Sequence, residues 1–211
     1  MAGCVQEPVA SAPNGPNAAR RPPMPGVRML FDGGSLAGWR VPGEGAFRGH
    51  GEVRVADGVV RLSPGKPLTA IAWTGEVAPS NYEVEVEAQR TAGSDFFCGL
   101  TFPVGDAHCT WIVGGWGGTV VGLSNVDGQS AAENATACRR TFDTGRWYRL
   151  TLRVTDAAIT CLIDGEPAVV QPRGGHTFGI WPQQAPCRPL GVAAYLTGSA
   201  VRCVAVRRLE K

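Results

Sequence analysis

The sequence predicts an all-β fold of two antiparallel sheets packed face to face, and three observations predict it. Apolar and polar residues alternate with period two along several runs, turn-forming pairs separate those runs, and no apolar stretch of helical period reaches ordinary helix length. Glycine (29) and proline (16) are too frequent for a helical chain of 211 residues, because both weaken helix interiors and serve turns instead. A hydrophobic share of 44% supplies one sizeable core, which a single large sandwich accommodates without a second domain.

Taken in order, residues 1–25 are rich in Ala, Pro, Asn and Gly and almost devoid of large apolar side chains, so they are expected to form a disordered leader ahead of one sandwich domain, 26–211. Val53 and Val55, then Val59, Val60 and Leu62, flank Asp57-Gly58, a pair suited to a tight hairpin. Tyr82, Val84, Val86 and Ala88 alternate with Glu83, Glu85, Glu87 and Gln89, giving a strand with one apolar and one acidic face. Tyr148, Leu150, Leu152 and Val154 alternate with basic and polar residues, and Ile159, Cys161 and Ile163 lead into a second turn at Asp164-Gly165. Further strands fit 95–102, 109–113, 119–123, 191–196 and 201–208.

A net charge of +2 gives no field strong enough to gather a polyanion, so nucleic acid is not an expected partner. No run approaches the roughly 20 apolar residues of a membrane-spanning helix, which leaves a lipid as the expected means of any membrane attachment. The start Met1-Ala2-Gly3-Cys4 resembles the end of a bacterial lipoprotein signal. That resemblance implies lipidation of Cys4, a reading frame that continues upstream, and export as a periplasmic or outer-membrane lipoprotein; the alternative is a chance Ala-Gly-Cys in a cytosolic chain. The remaining cysteines, Cys98, Cys109, Cys138, Cys161, Cys187 and Cys203, contain no Cys-x-x-Cys couple and are expected to pair as disulfides rather than hold zinc. Burial as small hydrophobes is the alternative.

Leu30-Phe31-Asp32-Gly33-Gly34-Ser35-Leu36-Ala37-Gly38-Trp39 resembles the opening of the 3-keto-disaccharide hydrolase domain family. The resemblance continues through Ala56-Asp57-Gly58-Val59-Val60, Asn81-Tyr82-Glu83 and Trp147-Tyr148-Arg149-Leu150, and closes at Val201-Arg202-Cys203-Val204-Ala205-Val206. It implies a jelly-roll sandwich similar to concanavalin A and laminin-G domains, carbohydrate as partner, and cleavage of oxidised glycosides. The chain departs from the family pattern at Ser94-Asp95-Phe96-Phe97-Cys98-Gly99-Leu100, where members often carry Asn-Ser-Gly-Ile-x-x-Arg, and at Tyr195-Leu196-Thr197-Gly198, where they carry Gln-x-His-Gly. Those departures favour a second reading, a non-catalytic carbohydrate-binding or surface-interaction module.

Candidate site residues follow from side-chain chemistry. Glu83, Glu85 and Glu87 are similar in spacing to the strand-borne acids of laminarinase-type glucanases, or else form a charged ladder with Arg149 and Arg153. Trp111 and Trp116 stand among glycines in 108–118 and could offer flat faces to a sugar, or else Trp111 is core. Asn125, Asp127, Gln129, Glu133 and Asn134 form a polar run able to bond sugar hydroxyls or a divalent cation such as calcium, although the spacing matches no defined calcium loop. His108, near Asp106, is the candidate acid or base. Together these give Glu87, His108, Asp127 and Glu133 as expected catalytic groups around a concave sheet, with Trp111, Trp116 and Asn125 as sugar contacts.

Overall fold

The structure, a computed structural model, describes residues 26–43 and 46–210, so the expected leader with Cys4 lies outside the described residues. In chain order the strands are β1 (Val27–Phe31), β2 (Trp39–Arg40), β3 (Val53–Ala56), β4 (Val59–Leu62), β5 (Leu68–Trp73), β6 (Tyr82–Ala92), β7 (Cys98–Val104), β8 (Ala107–Gly115), β9 (Val120–Ser124), β10 (Cys138–Arg139), β11 (Tyr148–Val154), β12 (Ala158–Ile163), β13 (Glu166–Pro172), β14 (Leu190–Tyr195) and β15 (Gly198–Arg208). A short 3-10 helix, Pro182–Cys187, precedes β14.

One sheet runs β13-β12-β11-β6-β15-β4-β3, with β1 also paired to β15; the other runs β10-β9-β8-β7-β14-β5-β2. All pairings are antiparallel, as the period-two alternation predicts. Both expected hairpin turns adopt positive φ at both central residues, Asp57 and Gly58 (55° and 77°) and Asp164 and Gly165 (57° and 90°). That geometry matches the right-handed twist of the flanking strands.

The core lies between the sheets. Val84, Val86, Leu150 and Leu152 come from the eight-stranded sheet, and Leu100, Phe102, Trp111 and Leu123 face them from the seven-stranded one. A second, smaller apolar cluster sits on the outer face of the seven-stranded sheet, where Phe96, Ile112, Ala131, Cys187 and Ala193 meet. This face is roofed by the 3-10 helix and the 130–137 turns. Close approach is allowed by glycine: a Cβ at Gly191 would stand 2.6 Å from the Cys187 carbonyl oxygen, and one at Gly99 would stand 2.9 Å from the Phe96 ring.

The expected disulfides are corrected: all six cysteines among the described residues are free thiols. Cys98, Cys109 and Cys161 point singly into the core as small hydrophobes. Burial pushes the Cys98, Cys109 and Cys187 thiols up to about 12.

Candidate binding site

Strand register decides which residues reach the outer face of the seven-stranded sheet. Trp111 is in register with Leu100 on β7 and Leu123 on β9, all three directed into the core. Its side chain is fully buried, so the expectation of a sugar platform at Trp111 is corrected. Thr110 and Ile112, its neighbours on β8, point outward instead.

Above them lies a cavity of about 380 Å3, within the size range of small-ligand sites. Thr110, Ser124, Asn125 and Ser130 supply polar wall on one side. Phe96, Trp116, Trp181 and Tyr195 supply aromatic wall on the other. Phe96 and Tyr195 stack at 5.6 Å between centroids, and Trp181 tilts against Tyr195 at 6.1 Å. Trp116 and Trp181 remain substantially exposed, at 48% and 38%.

Two further residues give the cavity its chemistry. Gln184, on the 3-10 helix, is buried; its Oε1 accepts from Thr101 Oγ1 at 3.5 Å, while its Nε2 has no hydrogen-bond partner. A buried amide N–H without an acceptor costs about 1–3 kcal/mol. Among the described residues Asp95 is the one carboxylate in the cavity wall; its Oδ1 accepts from the Phe96 backbone N–H at 2.7 Å.

The loops bearing Asp95 and Trp116 are clamped from below by Arg90. This buried guanidinium donates to the carbonyls of Asp95, Gly114, Gly118 and Phe142 at 3.1–3.3 Å and lies over the Phe97 ring. Burial lowers its pKa from the ordinary arginine value. A planar fork of donors can serve carbonyls on several segments at once, which a lysine cannot.

The expected catalytic groups do not converge. Glu87 lies on the outer face of the eight-stranded sheet, across the core from the cavity, where its Oε2 accepts from Arg202 Nε at 2.6 Å. Glu83 beside it is held by Arg153 at 2.8 Å and Arg207 at 2.7 Å, so the acidic strand is a charged ladder rather than an acid pair. Asp127 bonds His176 Nδ1 at 2.7 Å and the Thr177 backbone N–H at 2.7 Å. Those donors draw its carboxyl below the usual range, the Thr177 N–H first. Glu133 is likewise lowered, by Ser130, whose hydroxyl and backbone N–H it accepts. Neither acid lines the cavity. His108 faces outward two residues along β8 from Thr110, opposite Pro103, and burial followed by nearby Arg188 lowers its pKa. Of the expected sugar contacts, Trp116 and Asn125 do line the cavity. Among the described residues no group of three or more His, Cys, Asp or Glu is placed to hold a metal ion.

No motif or spacing in the sequence marks Gln184, Trp181, Asp95 and Tyr195 as binding groups. Trp181-Pro182, a Pro-initiated helical turn, was the available signal for a structured roof.

The fold and cavity define a jelly-roll sandwich with one amphipathic pocket on an outer sheet face. The chain belongs to the 3-keto-alpha-glucoside-1,2-lyase-like domain family, whose model matches residues 26–192. No curated protein matches it. Solved structures of the same fold include the Crh5 transglycosylase in complex with NAG (TM-score 0.58, 14% identity, 88% of this chain and 85% of that one). The family GH16 endo-beta-1,3(4)-glucanase SCLam is similar too (TM-score 0.56, 11% identity, 89% and 93%). So is the carbohydrate-binding module CBM66 from Bacillus subtilis (TM-score 0.53, 10% identity, 81% and 95%). At these identities the likeness is one of fold.

Proposed function

We propose that the cavity binds the sugar of a 3-keto-glucoside and promotes 1,2-elimination, rather than glycoside cleavage by paired acids. The observation that carries this is a cavity lined by Gln184, whose buried Nε2 has no partner, and, among the described residues, by a single carboxylate, Asp95. Retaining or inverting hydrolysis needs two carboxyl groups flanking the bond. Elimination next to a ketone needs one base and a donor to the developing enolate oxygen.

In this reading Asp95 removes the C2 proton, which the C3 carbonyl acidifies. Gln184 Nε2 donates to the oxygen as charge collects there. The C1–O bond then breaks, a C1=C2 double bond forms in conjugation with the ketone, and the aglycone leaves as an alkoxide that takes a proton from Asp95 or water. Later addition of water to the product gives the overall outcome of hydrolysis.

The family match and the carbohydrate-active proteins that share the fold support carbohydrate as ligand. The single carboxylate also favours the second reading, a module that binds without cleaving. Incubation with a 3-keto-α-glucoside, followed by absorbance of the enone and release of the alcohol, separates the two. Turnover that falls at least 100-fold in Asp95→Asn supports elimination. Binding heat without turnover assigns the binding module. Export through a lipid on Cys4 belongs to the same proposal, and the mass of the protein isolated from membranes tests it: absence of an acyl adduct on the Cys4 peptide removes it.

A further inference from the structure

Resting on the reading of this cavity as a glycoside site, we infer that it selects glucosides with an aromatic aglycone over glucosides of small alcohols or of a second sugar. The argument starts from register. Ser124, Thr110 and Thr101 are successive partners across β9, β8 and β7, forming one polar row. Gly122, Ile112, Gly99 and Ala193 form the next row, small or apolar throughout. Beyond it come Phe96 and Tyr195, joined by a hydrogen bond from the Tyr195 N–H to the Phe96 carbonyl.

From Gly191, the β14 partner of Thr101, to Tyr195 is four residues, roughly 13 Å at strand rise. The cavity therefore runs from a hydroxyl-bearing end to an aromatic end over a length that suits one pyranose ring plus one aromatic ring. At the aromatic end Trp181, Tyr195 and Phe96 form a continuous arc, and Trp116 stands exposed at the mouth. A second sugar placed there would lose water from its hydroxyls with few polar partners, whereas an aryl ring would bury apolar surface and stack.

Chemistry points the same way. Among the described residues Asp95 is the only carboxyl group in the wall, so no second carboxyl is placed to protonate a leaving alkoxide. A phenoxide leaves without that help, because its conjugate acid is far more acidic than an alkyl alcohol. Elimination from an aryl 3-keto-glucoside balances as loss of the C2 proton to Asp95, loss of phenoxide from C1, and formation of C1=C2, with the phenoxide finally protonated by solvent or Asp95.

Because leaving-group ability alone raises turnover of aryl substrates, the test reads binding. Calorimetric Kd values are measured for phenyl and methyl α-glucosides, unoxidised so that neither reacts, and Michaelis constants for their 3-keto forms. At least tenfold tighter binding of the phenyl compound is expected, the ratio of phenyl to methyl affinity falling to threefold or less in Trp181→Ala and Trp116→Ala. Equal affinity for the two in the wild type, with turnover of the 3-keto forms intact, overturns the aglycone preference and leaves the glycoside reading standing. Neither binding nor turnover of any of the four compounds overturns both.

Discussion

At Gln184 a stability cost and a binding gain sit on the same atom. Its Nε2 is buried without a partner, so Gln184→Met, which removes that donor but also gives up the long hydrogen bond from Thr101, is expected to leave the free protein within about 1 kcal/mol of wild type. The same change should weaken binding of a 3-keto-glucoside tenfold or more. Thermal unfolding and calorimetry on one preparation check both; a destabilised variant with unchanged affinity would show that Gln184 serves packing only. His108 makes a separate, pH-dependent prediction. Its folded pKa lies below the ordinary imidazole value of about 6.5, so above that pH it contributes nothing. As pH falls below 6.5 the unfolded chain takes up the proton first and the folded state loses stability. His108→Gln should flatten the melting-temperature profile between pH 7 and pH 5, and an unchanged slope would contradict the shift. Asp127 and Glu133, both lowered, act only further down, their stabilisation being lost as pH falls through the carboxylate range.

At the scale of the element, β6 shows why the alternating acids were legible and why their function was not. The alternation of Glu83, Glu85 and Glu87 with Val84, Val86 and Ala88 predicts an outward acidic face, and the strand has one. What one strand cannot reveal is its neighbours: β15 contributes Arg202 and Arg207, and β11 contributes Arg153, which neutralise the row. Glu87→Gln should therefore leave turnover within twofold of wild type and cost less than about 1 kcal/mol, with the cost shrinking in high salt. A large loss of turnover would return Glu87 to the reaction. β5 illustrates the opposite failure. Leu68–Trp73 is buried on both faces, so it carries no polar alternation to read, unlike the half-buried β6 and β11. The loops at the cavity mouth hang on Arg90, and Arg90→Lys is expected to cost about 2–3 kcal/mol because an ammonium cannot reach carbonyls on three segments.

For the whole molecule, the sandwich follows from local patterns repeated often enough to leave one solution, two sheets closing on a shared apolar layer. The cavity does not follow that way. Its walls come from residues as distant as Asp95, Trp116, Asn125 and Gln184, and only the pairing of β7, β8, β9 and β14 brings them together. Hydrophobic residues placed singly in strands gave the right core, but cysteines in the same positions suggested bridges that the fold has no need of. Buried thiols with raised pKa values should resist a disulfide-exchange reagent in the native state, Cys138 and Cys203 reacting first among the described residues as the only two not fully buried. The melting temperature should be indifferent to reductant.

The most direct measurement is a crystal structure of Asp95→Asn soaked with phenyl 3-keto-α-glucoside. The sugar should lie on the outer face of the seven-stranded sheet with an oxygen within hydrogen-bond reach of Gln184 Nε2, and the aryl ring against Tyr195 and Trp181. A ligand seated instead over the Glu83 to Glu87 face, or a cavity left empty while the ligand binds elsewhere, would contradict the assignment of this site.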